Sequence, residues 1–183
     1  MKQTIRSRFG LLKTFRTMYG RDVVVRMFRN HCFGDWLDVP YLDQEPNLVH
    51  GMLLKQEEVN EEIHNQSHML RFNVGDYYCN FGRVEFCLMT GLQFGAYNLE
   101  DLENAPTPLV QRIFPHLQTV VTLLDLLKLF EGPDFLKLEE QDAIRLCLVI
   151  LVEFILYGRE PNHEVQTFLF ALVEDPDAFD DFP

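Results

Sequence analysis

A chain of 183 residues that is 47% hydrophobic and 24% charged has the composition of a folded domain, which excludes wholesale disorder. Sixteen phenylalanines supply ample core material, and a net charge of −12 argues against general nucleic-acid binding by the body of the chain. The length suits one domain over 1–183.

The charge is uneven. Residues 1–29 hold eight basic residues (Lys2, Arg6, Arg8, Lys13, Arg16, Arg21, Arg26, Arg29) and one acid, Asp22, so a local +7 leaves −19 for the remainder. This basic arm either packs back on the acidic body or contacts phosphate, with Arg6, Arg8, Arg16 and Arg26 as the candidate nucleic-acid contacts. The first residues lack the apolar stretch of a secretory signal. Phe9, Leu12, Phe15 and Met18 recur at every third position, which predicts a helix between Ser7 and Tyr19. Val24, Met27 and Phe28 suit a second helix face, and Gly34 to Pro40 reads as loop. Asn47 is placed to cap a helix through Lys55 that buries Val49 and Leu53.

After a polar stretch, Glu57 to Ser67, the period changes from helical to alternating. Leu70, Phe72 and Val74 alternate with Arg71 and Asn73; Gly75-Asp76 supplies a two-residue turn; Tyr77, Cys79 and Phe81 alternate with Tyr78 and Asn80. A Gly-first loop suits a type II′ turn, which predicts a β-hairpin over about 69–81 with Val74 opposite Tyr77, Phe72 opposite Cys79 and Leu70 opposite Phe81. The six apolar side chains then share one face that requires helices to cover it. Arg71, Asn73, Tyr78 and Asn80 share the other and form the candidate partner-facing surface. A helix follows from Gly82 to Thr90, burying either Val84, Cys87 and Leu88 or Phe86 and Met89, with Gly91 as its left-handed stop and Leu92 closing the cap.

Gln93 to Thr107 reads as loop. A largely buried helix is expected from Leu117 to Phe130, broken by Gly132-Pro133, and the longest helix from Glu139 to Tyr157, stopped by Gly158. The apolar run Leu146–Tyr157, interrupted by Glu153, is too short to span a bilayer, so no membrane association is expected. Asn162 is the expected cap of a last helix bearing Val165, Phe168, Leu169, Leu172 and Val173. Pro176 ends it before an acidic tail with Phe179 and Phe182. The fold class is therefore α+β, mainly helical, with one hairpin packed on helices.

No catalytic constellation emerges. Glu61, His64 and His68 have helical metal-ligand spacing, but His-Asn-Gln-Ser-His is poor helix sequence and no fourth ligand is indicated. His31-Cys32 places a base beside a thiol in sequence, where side chains point apart. Cys32, Cys79, Cys87 and Cys147 form no C-x-x-C pair and read as reduced thiols, with Cys79 and Cys87 as packing residues. The acid pairs Glu57-Glu58, Glu61-Glu62, Glu139-Glu140 and Asp180-Asp181 are adjacent rather than convergent. No phosphate-cradling loop or metalloprotease motif occurs. No catalytic residue, metal or cofactor is expected.

Several segments, taken in order, resemble one family. They are Asn47-Leu48-Val49-His50-Gly51-Met52-Leu53-Leu54, Leu70-Arg71-Phe72-Asn73-Val74-Gly75, Arg145-Leu146-Cys147-Leu148-Val149 and Leu172-Val173-Glu174-Asp175 through Phe182-Pro183. The strongest is Val84-Glu85-Phe86-Cys87-Leu88-Met89-Thr90-Gly91-Leu92, which resembles an E-F-x-L-x-T-G-L signature. From Arg6 to Pro183 the chain is similar to the plant domain of unknown function (DUF) found N-terminal to SUMO-protease-like domains in Mutator-like transposon-derived genes, and more distantly to the plant mobile domain. It departs from the family pattern at Gly82, where Ser or Thr is usual, and after Pro183, where a Pro-Trp-Gly close is missing and the C-terminus reads as truncated. A well-patterned core without convergent polar chemistry, together with the resemblance, points to an accessory, non-catalytic protein-interaction module with a protein partner, and the reduced thiols suit a nuclear or cytoplasmic protein. The resemblance also implies that any cysteine-peptidase chemistry belongs to a domain outside these residues.

Overall fold

The computed structural model describes residues 7–40, 46–58, 69–116 and 120–183. They fold as α+β, mainly helical, with one three-stranded antiparallel sheet, in two compact units. Among the described residues the smaller unit comprises 46–58, 69–96 and Pro183; the larger comprises 7–40, 97–116 and 120–182. Arg6, Glu61, His64 and His68 lie outside the described residues.

The larger unit begins with the basic segment. Helices α1 (Gly10–Arg16) and α2 (Asp22–Arg29) turn Leu12, Phe15, Val24 and Phe28 into the core and leave Lys13, Arg16, Arg26 and Arg29 on the surface. Three consecutive valines disfavour a helix locally, but burial of Val24 and Phe28 one turn apart outweighs that propensity. The chain then forms a 3-10 turn, Gly34–Asp38, where sequence suggested loop. A Cβ at Gly34 would stand 2.2 Å from the Arg29 carbonyl oxygen, so only glycine fits this close approach. Arg29 grips Asp38 with a two-pronged hydrogen bond of 2.6 and 3.0 Å across the same turn.

In the smaller unit, helix α3 (Pro46–Leu53) precedes β1 (Gln56–Glu57), β2 (Leu70–Val74), β3 (Tyr77–Phe81) and helix α4 (Arg83–Thr90). Sheet order is β1-β2-β3. The β2–β3 register pairs Val74 with Tyr77, Phe72 with Cys79 and Leu70 with Phe81, as the alternation requires. Gly75 supplies the positive φ, 66°, that a two-residue hairpin turn needs. α4 starts on Gly82, whose N–H is held by Glu85 Oε2 at 2.8 Å, and stops on Gly91 at φ 74°. β1 is a third strand that the sequence pattern did not announce.

The rest of the larger unit is built on the helix Glu140–Ile150. Between Tyr97 and that helix come α5 (Leu99–Glu103), capped by Asn98, α6 (Pro108–Ile113) and α7 (Leu123–Glu131). The Thr122 hydroxyl and Asp125 carboxylate satisfy each other's backbone N–H groups, which sets the α7 start later than hydrophobicity alone implied. After a 3-10 turn, Pro133–Lys137, helix α8 (Glu140–Ile150) passes directly into a π-helical turn, Leu151–Leu156, where Tyr157 N–H reaches back to the Val152 oxygen at 2.9 Å. Between Asp142 and Ile155 every residue but Arg145 is buried. A helix apolar all round belongs inside, and α1, α2, α7 and the helix over Thr167–Leu172 pack around α8 and its π turn.

The last helix does not start at Asn162. Residues 163–165 instead bridge to residues 121–123, with Val165 N–H on the Val121 oxygen at 2.9 Å, and α9 (Thr167–Leu172) begins beyond them. Pro176 opens α10 (Pro176–Asp180) rather than ending a helix, because Asp175 caps it and proline tolerates the first helical position. Phe179, expected in an acidic tail, is buried beside His31 and Phe33.

Two charged clusters lie within this core. Asp142 accepts paired bonds from Arg112, both 2.8 Å, and one of 3.0 Å from Arg145. Arg112 also reaches Glu174, and Arg145 donates to the Val173 and Glu174 carbonyls. These arginines hold the Asp142 carboxyl below the ordinary carboxylate range. Glu153, on the π turn, has no solvent exposure and neither oxygen accepts a hydrogen bond of good geometry, although the Gln166 main chain faces it and Arg159 Nε stands 3.2 Å away as its ion-pair partner. Burial pushes this carboxyl up, against the opposing pull of Arg159. Among the described residues, no helix is long and apolar enough to cross a membrane.

Candidate interaction surface

The polar face of the hairpin is a small connected surface. Arg71 Nε donates to Asn80 Oδ1 across the strands at 3.1 Å, and its guanidinium carbon lies 5.8 Å from the Tyr78 ring centre. Register places Arg71 opposite Asn80 and Asn73 opposite Tyr78. The structure thus brings Arg71, Tyr78 and Asn80 together. Asn73 is drawn to the other edge, where it donates to Glu57 Oε1 at 2.9 Å. Tyr78 is 65% exposed and Asn80 is exposed, while Arg71 and Asn73 are half-buried.

The opposite, apolar face is not covered as the alternation demands. Tyr77 is 80% exposed; Leu70, Val74 and Cys79 are exposed; Phe72 and Phe81 are half-buried. Cys79 is therefore a surface thiol, and Cys87 is half-buried. The reason lies in α4, which follows β3 after a single residue. Its inward side carries Phe86 and Cys87, with Phe86 packed on Phe94 at 5.2 Å, while Val84, Leu88 and Met89 point outward. Leu88 is 81% exposed. α3 repeats the pattern: Val49 and Leu53, expected to be buried, are exposed, as is Leu48. Among the described residues of the smaller unit, no hydrophobic side chain is buried.

The basic segment offers less. Arg8 is exposed but lies over the Phe154 ring, 5.0 Å from its centre, and its main-chain N–H is bound to the Phe154 oxygen. Arg21, which sequence left among the arm's free charges, turns inward to the carbonyls of Phe135 and Leu138. Arg16 flanks Asp38, already held by Arg29. Arg26 lines a shallow depression of about 420 Å³ with Val23, Met27 and Asn30.

The one thiol beside a histidine meets a carboxylate that sequence could not pair with it. Asp180, at the end of α10, lies 3.1 Å from His31 Nδ1 and accepts the Cys32 N–H at 3.1 Å. Burial first, and then this carboxylate, push the Cys32 thiol up to about 12. Through these contacts Asp180 ties the end of α10 to the residues that follow α2. A cleft of about 650 Å³ between α6, α7 and the Pro133–Lys137 turn is lined by His116, Lys128 and Asp134 over Ile113, Phe114 and Leu138. Its Asp125 already caps α7, and Lys137 holds Asp134 at 2.6 Å. No group of three metal-ligating side chains converges among the described residues.

No curated protein sequence and no solved structure matches the chain significantly. The model of one family does match, over residues 56–183, from the first residue of β1 through α10. The chain belongs to that family, the domain of unknown function DUF1985.

Proposed function

We propose that this chain is a non-catalytic protein-interaction module whose smaller unit supplies the docking surface. The carrying observation is that this unit buries none of the large apolar side chains described in it, while Tyr77, Val84, Leu88 and Met89 stand open. Large apolar side chains left open in this number are a feature of protein-binding surfaces. The Arg71–Tyr78–Asn80 group adds the arginine and tyrosine that interfaces favour. The resemblance to plant domains found beside SUMO-protease-like domains in transposon-derived genes supports an accessory role next to such a protease, in the nucleus or cytoplasm. Nucleic-acid contact through Arg6, Arg8, Arg16 and Arg26 has weaker support, since Arg8 is engaged by Phe154 and Arg16 is flanked by Asp38.

Val84→Glu with Leu88→Glu tests the reading. Both side chains are exposed, so the double variant is expected to keep the wild-type melting temperature. In quantitative cross-linking from extract it is expected to lose the proteins that the unmodified chain enriches. Equal enrichment by both, or none by the unmodified chain, overturns the proposal.

A further inference from the structure

The two edges of the sheet are built differently. β1 is two residues long and carries Glu57, a short and charged edge of the kind that resists further pairing. β3 runs five residues, Tyr77-Tyr78-Cys79-Asn80-Phe81, without a charge or a proline. Its main-chain groups can be assigned a direction. Asn73 N–H donates to the Lys55 oxygen at 2.7 Å, away from β3, so Asn73 and Tyr78 form a wide pair of the hairpin. Tyr78 and, two residues on, Asn80 therefore aim their N–H and C=O groups away from β2. No strand takes them among the described residues.

We propose that β3 pairs antiparallel with β3 of a second copy of this chain, about a two-fold axis through Cys79. This partner identity rests on reading the smaller unit as a docking surface. An outward-aimed residue can pair only with another outward-aimed residue, and centring on Cys79 satisfies both with the greatest overlap. Each Tyr78 then exchanges two main-chain hydrogen bonds with Asn80 of the other copy. Tyr77 comes opposite Phe81, an aromatic pair on the apolar face. Cys79 comes opposite its own copy at the close spacing of a non-hydrogen-bonded pair, about 4.5 Å between Cα atoms. The strand reads aromatic, polar-tipped, cysteine, polar, aromatic from either end, so a second copy meets each position with a suitable neighbour by symmetry. The result joins two three-stranded sheets edge to edge.

Sedimentation of the full chain under reductant is expected to show a monomer–dimer equilibrium in the micromolar range. Asn80→Pro removes an outward N–H without touching the ladder to β2, and Cys79→Lys sets like charges opposite each other on an exposed position. Both variants are expected to keep the wild-type circular dichroism and melting temperature and to sediment as monomers. Diamide, taking two electrons and two protons from a pair of thiols, is expected to trap a Cys79–Cys79 disulfide, identified by non-reducing peptide mass spectrometry. A monomer at every concentration, a dimer that survives both variants, or a trap at Cys32, Cys87 or Cys147 instead overturns the inference. A monomer whose Val84/Leu88 variant still loses its partners removes the two-fold pairing and leaves the interaction module standing. A dimer unaffected by both edge variants, with no partner lost on the Val84/Leu88 change, removes both.

Discussion

The two units use the same residue types to opposite ends. In the larger one, α8 and the π turn after it are enclosed so fully that Leu146, Val149 and Phe154 have no exposure; in the smaller one Leu88, Met89 and Val84 each stand more than half open. Apolar periodicity in a sequence marks the side of an element that can be buried. Whether that side is covered depends on having enough neighbouring elements, and a three-stranded sheet with short helices has too few. The apolar faces of the hairpin and of α4 are formed, and among the described residues they stay open.

The sharpest way to break this comparison is to truncate one apolar side chain in each unit. Phe15 is fully buried, edge-on to Phe130 at 5.3 Å and tilted on Phe28 at 5.5 Å. Phe15→Ala is expected to cost about 4 kcal/mol, whereas Leu88→Ala is expected to change stability by no more than about 0.5 kcal/mol. Urea unfolding followed by circular dichroism reads both substitutions, and the fluorescence of the chain's single tryptophan, Trp36, edge-on to Phe33, reads the larger unit alone. Comparable losses from the two substitutions would erase the distinction. Phe15 also bears on the family boundary. The family match starts at Gln56, yet α1 and α2 bury Leu12, Phe15, Val24 and Phe28 in the unit that α8 organises. The core of this chain therefore extends beyond the residues that the family model matches.

Much of the smaller unit was legible because its signals are local. Alternation and a Gly-Asp turn fix the hairpin register pair by pair, and Gly91 marks the end of α4 at a position where only a left-handed residue fits. The larger unit hid what depends on distant partners. His31 and Cys32 gave no hint of Asp180, almost the whole chain away. The π turn, Leu151–Leu156, has no composition of its own that a sequence could announce. Pro176 carried an ambiguous signal, since proline both ends helices and opens them, and the Asp175 cap decides which. Asn162 was a sound cap lost to a competing bridge with the residues before α7. The open hairpin face was misjudged because pattern shows what should be covered and not what is available to cover it.

Buried charge also separates the units, and its removal from the larger one is the next largest effect. Asp142→Ala strips both Arg112 and Arg145 of their shared carboxylate, with an expected cost of about 3 kcal/mol at neutral pH. The arginines hold the folded-state carboxyl below its ordinary range, so its contribution is present above the unfolded value, near pH 4, and is lost as pH falls through the folded one. The gap between variant and native chain is therefore expected to close on acidification. A gap independent of pH would mean that Asp142 acts through packing alone.

Glu153 carries the opposite sign and the smallest effect. Burial raises its folded-state carboxyl, so the folded chain binds that proton more tightly than the unfolded chain does. Its contribution to stability is present below the unfolded value and is lost as pH rises through the folded one. Glu153→Gln keeps the shape and removes the charge, and Arg159, which lies over Tyr157 at 5.0 Å, retains a neighbour. The variant is expected to match the native chain in acid and to exceed it by about 1 kcal/mol near neutrality, the order of the cost of a buried polar group without hydrogen bonds. Urea unfolding at a series of pH values reads both substitutions in one experiment. As pH rises from the acid side the Asp142 variant falls below the native chain while the Glu153 variant climbs above it. Should the Glu153 variant lose stability near neutrality instead, the Glu153–Arg159 pair outweighs the burial of its charge, and the π turn is held by that pair rather than by the packing around it.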